Sequence, residues 1–463
     1  MWITIAQFIL SLSILIVLHE LGHFCTAKWF KTRVEKFYLF FNPYFSLVKK
    51  QIGETEYGIG WLPLGGYVKI SGMIDESFDS DQMAGPPQPW EFRSKPAWQR
   101  LIIMIGGVTV NFILGILLFA VVFFTWGESY LPSSELSEGV SVSEHGYDLG
   151  LRDGDKIIKV GDLSANKFNP GLINKGIIID GATTIEVERN GKKESISVDP
   201  KWGPFLSKYE NKDLRLVNLK IPAKVSEISS SSPAKPGEAG VQLDDIIIAI
   251  NGEEVKYFDN FVEKFIGLKP DDSPNTEFTL LRGRDTISVS YNTIFDKRRS
   301  LVQRLLRKDA EKQRRLGLSL HGPEHFYNYK SEKFGGSQSL SKGWDESWMF
   351  LGDQIKAFGQ MFRGKIKASD SLGSFISIGK LFGPTWEWKR FWRMTAMLSI
   401  LLGFFNLLPI PALDGGYVMF LLWESITGSK VSDSVMEKTT MIGFFVLIAF
   451  MIYALGLDIF RHL

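Results

Sequence analysis

Residues 1–23 read MWITIAQFILSLSILIVLHELGH. Met1 to Leu18 carries no Asp, Glu, Lys or Arg and runs straight into His19-Glu20-Leu21-Gly22-His23. An uncharged run of this kind approaches the roughly 20 residues that cross a bilayer as a helix. On a helix, histidines at i and i+4 share a face about 6 Å apart, so both imidazoles reach one metal ion, and a Glu beside the first can take a proton from water activated there. The chain has only six histidines, so composition alone hardly ever produces the pattern. Ionisable groups at membrane depth are costly unless they do something. A cleaved signal peptide fits poorly, since no basic residue precedes Lys28 and no small-residue cleavage site follows the apolar run.

Three further uncharged stretches follow: Leu101 to Gly127, Met394 to Leu413, and Thr439 to Leu457. The expected spans are therefore 1–25, 98–127, 391–423 and 438–458, with Pro409 and Pro411 breaking the last turns of the third stretch. Lys28, Lys31, Arg33 and Lys36 flank the first span, and Lys430 and Lys438 precede the fourth. The positive-inside rule then puts the 26–97 loop in the cytoplasm, and the long 128–390 segment and both termini outside. Lys389, Arg390 and Arg393 oppose this, but long translocated segments largely escape the rule.

The outer segment repeats. Gly150-Leu-Arg-Asp-Gly-Asp155-Lys-Ile157-Ile158 aligns with Gly240-Val-Gln-Leu-Asp244-Asp245-Ile-Ile247-Ile248, and each copy carries a hairpin about 40 residues on, at Arg189-Asn190-Gly191 and Arg282-Gly283. Two copies of one β-rich domain follow, over 137–218 and 219–296. The turn and strand resemble a PDZ domain, with Asp244 standing where that pattern has Gly. Such domains take extended peptides as an added strand. Residues 297–315 hold nine Lys or Arg and read as a solvated linker within 297–390. After them Trp344, Trp348, Leu351, Ile355, Phe358 and Phe362 share one helical face, expected to lie in the membrane interface.

A catalytic metal site needs a third protein ligand. Glu54 or Glu56 could serve. Asp414 is the better candidate: it ends an apolar span in Asn406-Leu-Leu-Pro-Ile-Pro411-Ala-Leu-Asp414-Gly415-Gly416, an expensive placement that ligation would explain and helix capping would explain less well. His321-Gly-Pro-Glu324-His325 mimics an inverted metal motif, but Gly322 and Pro323 bar a regular helix there.

With these residues the chain resembles the site-2 protease family of intramembrane metalloproteases, and the PDZ pair narrows the likeness to the bacterial regulator of sigma-E protease type. It extends to 53–69, similar to that family's membrane-associated β-hairpin, and to Gly106, Gly107 and Asn111 on the second span. The resemblance implies Zn2+ held by His19, His23 and Asp414, Glu20 as general base, and Asn406 contacting substrate. It also implies a single-pass membrane protein as substrate, already trimmed by another protease. In the bacterial branch that is an anti-sigma factor, cut at the inner membrane in an envelope stress response. The expected fold is a polytopic α-helical membrane protein with four transmembrane helices, two PDZ domains between the second and third, and a β-hairpin at 53–70 after the first. The PDZ pair is expected to control access as a size filter.

The averages exclude other classes. Of 463 residues 45% are hydrophobic and 22% charged, so the chain is not disordered. A net charge of +2 argues against nucleic-acid partners. The single cysteine, Cys25, excludes an intrachain disulfide. A non-catalytic membrane scaffold or chaperone is the competing reading; a transporter is disfavoured by four spans without a span-level repeat.

Overall fold

The computed structural model describes residues 2–63, 65–73, 85–229, 232, 240–267, 275–292, 294–298, 311–315, 317–371 and 373–461. Residues 299–310 of the basic linker lie outside this set. The chain forms two compact bodies. The first comprises Met1–Glu128, Lys333–Ile355 and Gly373–Asp458, and the second is built mainly from Ser129–Glu332.

In the first body, α1 (Trp2–Trp29) and α2 (Ala97–Trp126) are helices of membrane length. Among the described residues a third, Asp433–Phe460, is also long and apolar enough to cross. Their polarity is inverted relative to a soluble bundle. The buried side of α1 is Gln7, Ser11, Leu15, His19, Gly22, His23 and Ala27, about one residue per turn, and Ile3, Ile5, Ile9 and Leu10 face outward. On α2 the buried side includes Gly107, Asn111 and Gly115 at four-residue spacing. Helices in lipid gain little from burying oil, so close backbone approach and polar contacts hold them together. Gly22 and Gly106 meet so closely that a methyl group on Gly22 would lie 2.4 Å from the Gly106 carbonyl oxygen.

The expected third span, 391–423, is divided. One helix runs Trp388–Leu407 and a second Asp414–Thr427. The first packs on α2 through Ala396, Ser399, Ile400 and Gly403. Pro409 and Pro411 remove donors from the 408–413 link, which turns through Ala412 at φ +80°.

The hairpin expected at 53–70 is replaced by a four-stranded sheet. Its strands are β1 (Val34–Leu39), β2 (Phe41–Ile52), β3 (Thr55–Leu62) and β4 (Tyr67–Ile70), in the order β2-β3-β1-β4. The true hairpin is β2 with β3, turning at Gly53 with φ +61°. β1 lies between β3 and β4, parallel to β3 and antiparallel to β4. β3 and β4 therefore never pair, and β4 is an edge strand.

The second body contains two β domains of the same build. The first has strands Lys156–Val160, Leu163–Ser164, Thr184–Arg189 and Lys192–Ser197 with a helix Leu172–Ile178. The second repeats this with Ile246–Ile250, Glu253–Glu254, Asn275–Arg282, Asp285–Asn292 and the helix Phe258–Gly267. The aligned residues make one network twice. Arg189 forks onto buried Asp155 at 2.7 and 2.8 Å, and Arg282 onto buried Asp245 at 2.8 and 2.8 Å. The guanidinium groups also reach the carbonyls of Gly150 and Gly240 respectively. Asp244 takes the left-handed φ of +69° where its counterpart is Gly154 at +93°. The second core extends past the expected boundary at 296: Leu318–Leu320 pairs with Val225–Ile228, and Leu318 and Leu320 pack on the core.

The aromatic stripe lies on the helix Gly336–Phe362. Trp344, Trp348, Ile355 and Phe362 are exposed and Leu351 is buried. Within the first body the inward side combines small residues, with Gly343 against the backbone of Ile116 and Ala120, and Leu351, which packs with Phe119 and Ile400.

Candidate metal centre

His19 and His23 lie one turn apart on the buried side of α1. Their Nε2 atoms are 3.3 Å apart. Asp414 Oδ2 is 3.3 Å from His19 Nε2 and 3.4 Å from His23 Nε2. Among the described residues this is the one group of three such side chains whose ligand atoms converge.

The residues fit a metal ion on three counts. Ligands about 2.0–2.1 Å from a tetrahedral ion stand about 3.3 Å from one another, and all three measured edges match. Asp414 Oδ2 is buried without a satisfactory hydrogen-bond donor, although it lies within ion-pair reach of both rings. The facing surface is also hollow: a Cβ on Gly107 would lie 2.4 Å from His23 Nε2 and 2.7 Å from His19 Cε1.

Each ring is held from behind by α2. His23 Nδ1 donates to the Ile103 carbonyl at 2.9 Å, which leaves its Nε2 lone pair facing the cluster. His19 Nδ1 is 2.9 Å from the side-chain amide of Asn111. Asp414 opens the helix Asp414–Thr427, but the residue before it, Leu413, is the cap, and no side-chain cap bond forms. The capping explanation of this aspartate therefore fails. Methyl groups on Gly415 and Gly416 would collide with the carbonyls of Leu408 and Ile410, so only glycine lets the 408–413 link fold back and aim Asp414 at the histidines.

Glu20 is adjacent to the cluster, beside the Val68 backbone of β4. Gly66, before β4, sits against Ile16 and the Glu20 side chain with no room for its own. Asn406, in the last turn of the Trp388–Leu407 helix, places its amide nitrogen 3.2 Å from His19 Nε2. Glu54 and Glu56 are engaged elsewhere, with Lys28 at 3.8 Å and with the Tyr38 hydroxyl at 2.8 Å. His325 ends a short 3-10 turn, Pro323–His325, and His321 lies two residues before it. Their rings stack at 3.8 Å and Asp244 Oδ1 lies 3.6 Å from His321 Nε2, but among the described residues the three do not converge as one ligand group. Asn111 and Gly107 stood out in the sequence only by family likeness. The signal that finds them is small or polar residues every fourth position on an otherwise apolar helix.

Membrane-length helices that draw two histidines, the glutamate between them and a distant aspartate to one buried point define a class, the membrane metallohydrolases. A family model described as Peptidase family M50 matches residues 7–450, and the chain belongs to that family of zinc metalloproteases. A Vibrio cholerae protein provisionally named a zinc metalloprotease is 28% identical over 475 residues, covering 100% of this chain and 99% of its own. The regulator of sigma-E protease RseP of Escherichia coli K12 is 27% identical over 470 residues, covering 99% and 98%. The Yersinia pestis protease RseP is 27% identical over 487 residues, covering 99% and 98%.

Proposed function

We propose that this membrane zinc metalloprotease hydrolyses the transmembrane segment of a single-pass membrane protein, using His19, His23 and Asp414 as metal ligands and Glu20 as general base. The observation that carries it is the 3.3–3.4 Å triangle of ligand atoms at the buried meeting point of membrane-length helices. A bound zinc supplies Lewis acidity and lowers the pKa of water toward neutrality.

The chain's own groups do the rest. Glu20, beside the Val68 backbone, takes the proton from the attacking water and returns it to the leaving amine. Asn406 donates its amide to the substrate carbonyl at the cleavage point. A transmembrane helix keeps its carbonyls internally bonded, so it must be opened before attack. β4, an edge strand adjoining Glu20, can hold an opened segment by strand addition.

The substrate class is a protein trimmed by a prior cleavage, with an anti-sigma factor as the leading candidate in view of the RseP relatives. The two β domains act as PDZ-like filters against untrimmed substrate. The setting is a bacterial inner membrane, with the 388–407 helix serving as a fourth span.

The test is purified protein in lipid with a candidate single-pass substrate. Glu20→Gln should abolish cleavage and leave zinc stoichiometric, and His23→Ala should lose both. Since general-base catalysis is typically worth about 10²–10⁴, a Glu20→Gln variant retaining more than about a hundredth of wild-type turnover would refute the assignment. Zinc-free wild-type protein that still captures the substrate would favour the scaffold.

A further inference from the structure

We propose that Asn111 is a positioning residue for the metal centre: its side-chain amide sets the tautomer and ring orientation of His19. This rests on reading His19, His23 and Asp414 as the ligands.

An imidazole that ligates through Nε2 must carry its proton on Nδ1, and that proton needs an acceptor. His23 has one in the Ile103 carbonyl, at 2.9 Å. His19 has no backbone carbonyl in that role. The group facing its Nδ1, at 2.9 Å, is the Asn111 amide. Residues 103 and 111 lie two turns apart on α2, so one helix braces both rings, one through its backbone and one through a side chain.

Asn111 is fully buried, and its Oδ1 has no partner. An unpartnered amide oxygen inside an apolar bundle costs free energy. Half a turn about χ2 exchanges the two ends of the amide. The oxygen then accepts the His19 Nδ1 proton, and Nε2 presents a lone pair toward His23 and Asp414. With the nitrogen end forward, the amide donates to a bare Nδ1. The proton then sits on Nε2, which closes it to a metal. Leu, Ala or Ser cannot perform this exchange at that reach; Asp can supply the accepting half.

The backbone at this position is clamped independently of the ring. Ser399 Oγ donates to the Asn111 carbonyl at 2.7 Å, and Gly403 leaves space beside the Asn111 Cβ. The side chain is thereby directed at α1 and does not itself join α2 to the 388–407 helix. This distinguishes it from Thr395, whose hydroxyl bonds Ser11 across helices at 2.9 Å and touches neither histidine.

The test measures zinc affinity by chelator competition on full-length protein in lipid, with the absorption spectrum of the cobalt-substituted protein as a second readout. Losing such a partner typically weakens a metal site about 10- to 100-fold. Asn111→Leu is expected to weaken zinc by that factor and to alter the cobalt bands. Asn111→Asp should restore both to near wild type, and Thr395→Val, which removes an interhelical bond elsewhere, should leave both unchanged. If the leucine variant does not accumulate in the membrane, Asn111→Ala carries the same comparison.

Wild-type affinity in the leucine or alanine variant would overturn the proposal. So would equal losses in Asn111→Leu and Asn111→Asp, or a matching loss in Thr395→Val, which would reduce Asn111 to helix glue. Wild-type protein that binds no stoichiometric zinc would instead remove the ligand assignment itself.

Discussion

Adding one methyl group at Gly107 should empty the metal centre. The Cβ of Gly107→Ala would stand 2.4 Å from His23 Nε2, 2.7 Å from His19 Cε1 and 2.8 Å from His19 Nδ1. Ordinary van der Waals contact begins at 3.4 Å, so the His23 ring must retreat by about 1 Å, the difference between 3.4 and 2.4 Å. Ligand distances tolerate only about 0.2 Å. Neither ring can swing freely, because each is held at 2.9 Å through Nδ1. Moving α2 away instead would pull on those same contacts. Overpacking of this kind costs about 1–3 kcal/mol. If that strain falls on the loaded site, zinc binding weakens about 5- to 150-fold at 1.4 kcal/mol per tenfold. The assay is metal content after purification together with chelator competition. The control is Gly115→Ala, two turns along the same helix. There the new methyl meets the Ile400 Cδ1 end of a flexible side chain at 2.5 Å, far from the ligands. It should lower thermal stability and leave zinc in place. A Gly107→Ala protein with wild-type zinc competition would refute the reasoning, as would equal metal loss in the control.

Two further outcomes test the arrangement in the membrane. With Cys25 replaced by Ser, single cysteines at exposed Gln51 and Lys192 should behave oppositely in spheroplasts. Lys192→Cys should react with an impermeant thiol reagent, and Gln51→Cys only after lysis; labelling of Gln51→Cys from outside would overturn the orientation. Replacing residues 131–321 by a flexible linker, so that the paired strand Leu318–Leu320 leaves with its domain, should spare cleavage of a trimmed substrate and newly permit the untrimmed one. Loss of trimmed-substrate cleavage with zinc still bound would make the β domains recruiters of substrate and not filters.

The pieces that were legible in the sequence are those whose physics is local. The apolar length of 1–18, the four-residue step from His19 to His23 and the 90-residue echo of Gly150 and Asp155 in Gly240 and Asp245 all follow from helix pitch, bilayer thickness and turn chemistry. Asp414 could be singled out because a carboxylate at the end of an apolar run is expensive wherever the chain goes. The pairing of Leu318–Leu320 with Val225–Ile228 was not legible, because that strand lies beyond a basic linker and its partner is set by the fold.

Tertiary structure alone decided three things. It placed β1 between β3 and β4, since strand order depends on which backbone edge a distant segment reaches, and side-chain alternation does not encode that. It divided the expected third span, 391–423, into two helices, so that a folded-back link at Ala412 aims Asp414 inward. And it brought Asn111 to His19 and Gly107 to both rings across 92 and more than 80 residues of chain. A hydrogen bond or a missing methyl group acts over a few ångströms of space, and only the packing of α1, α2 and the 388–407 helix brings those residues that close.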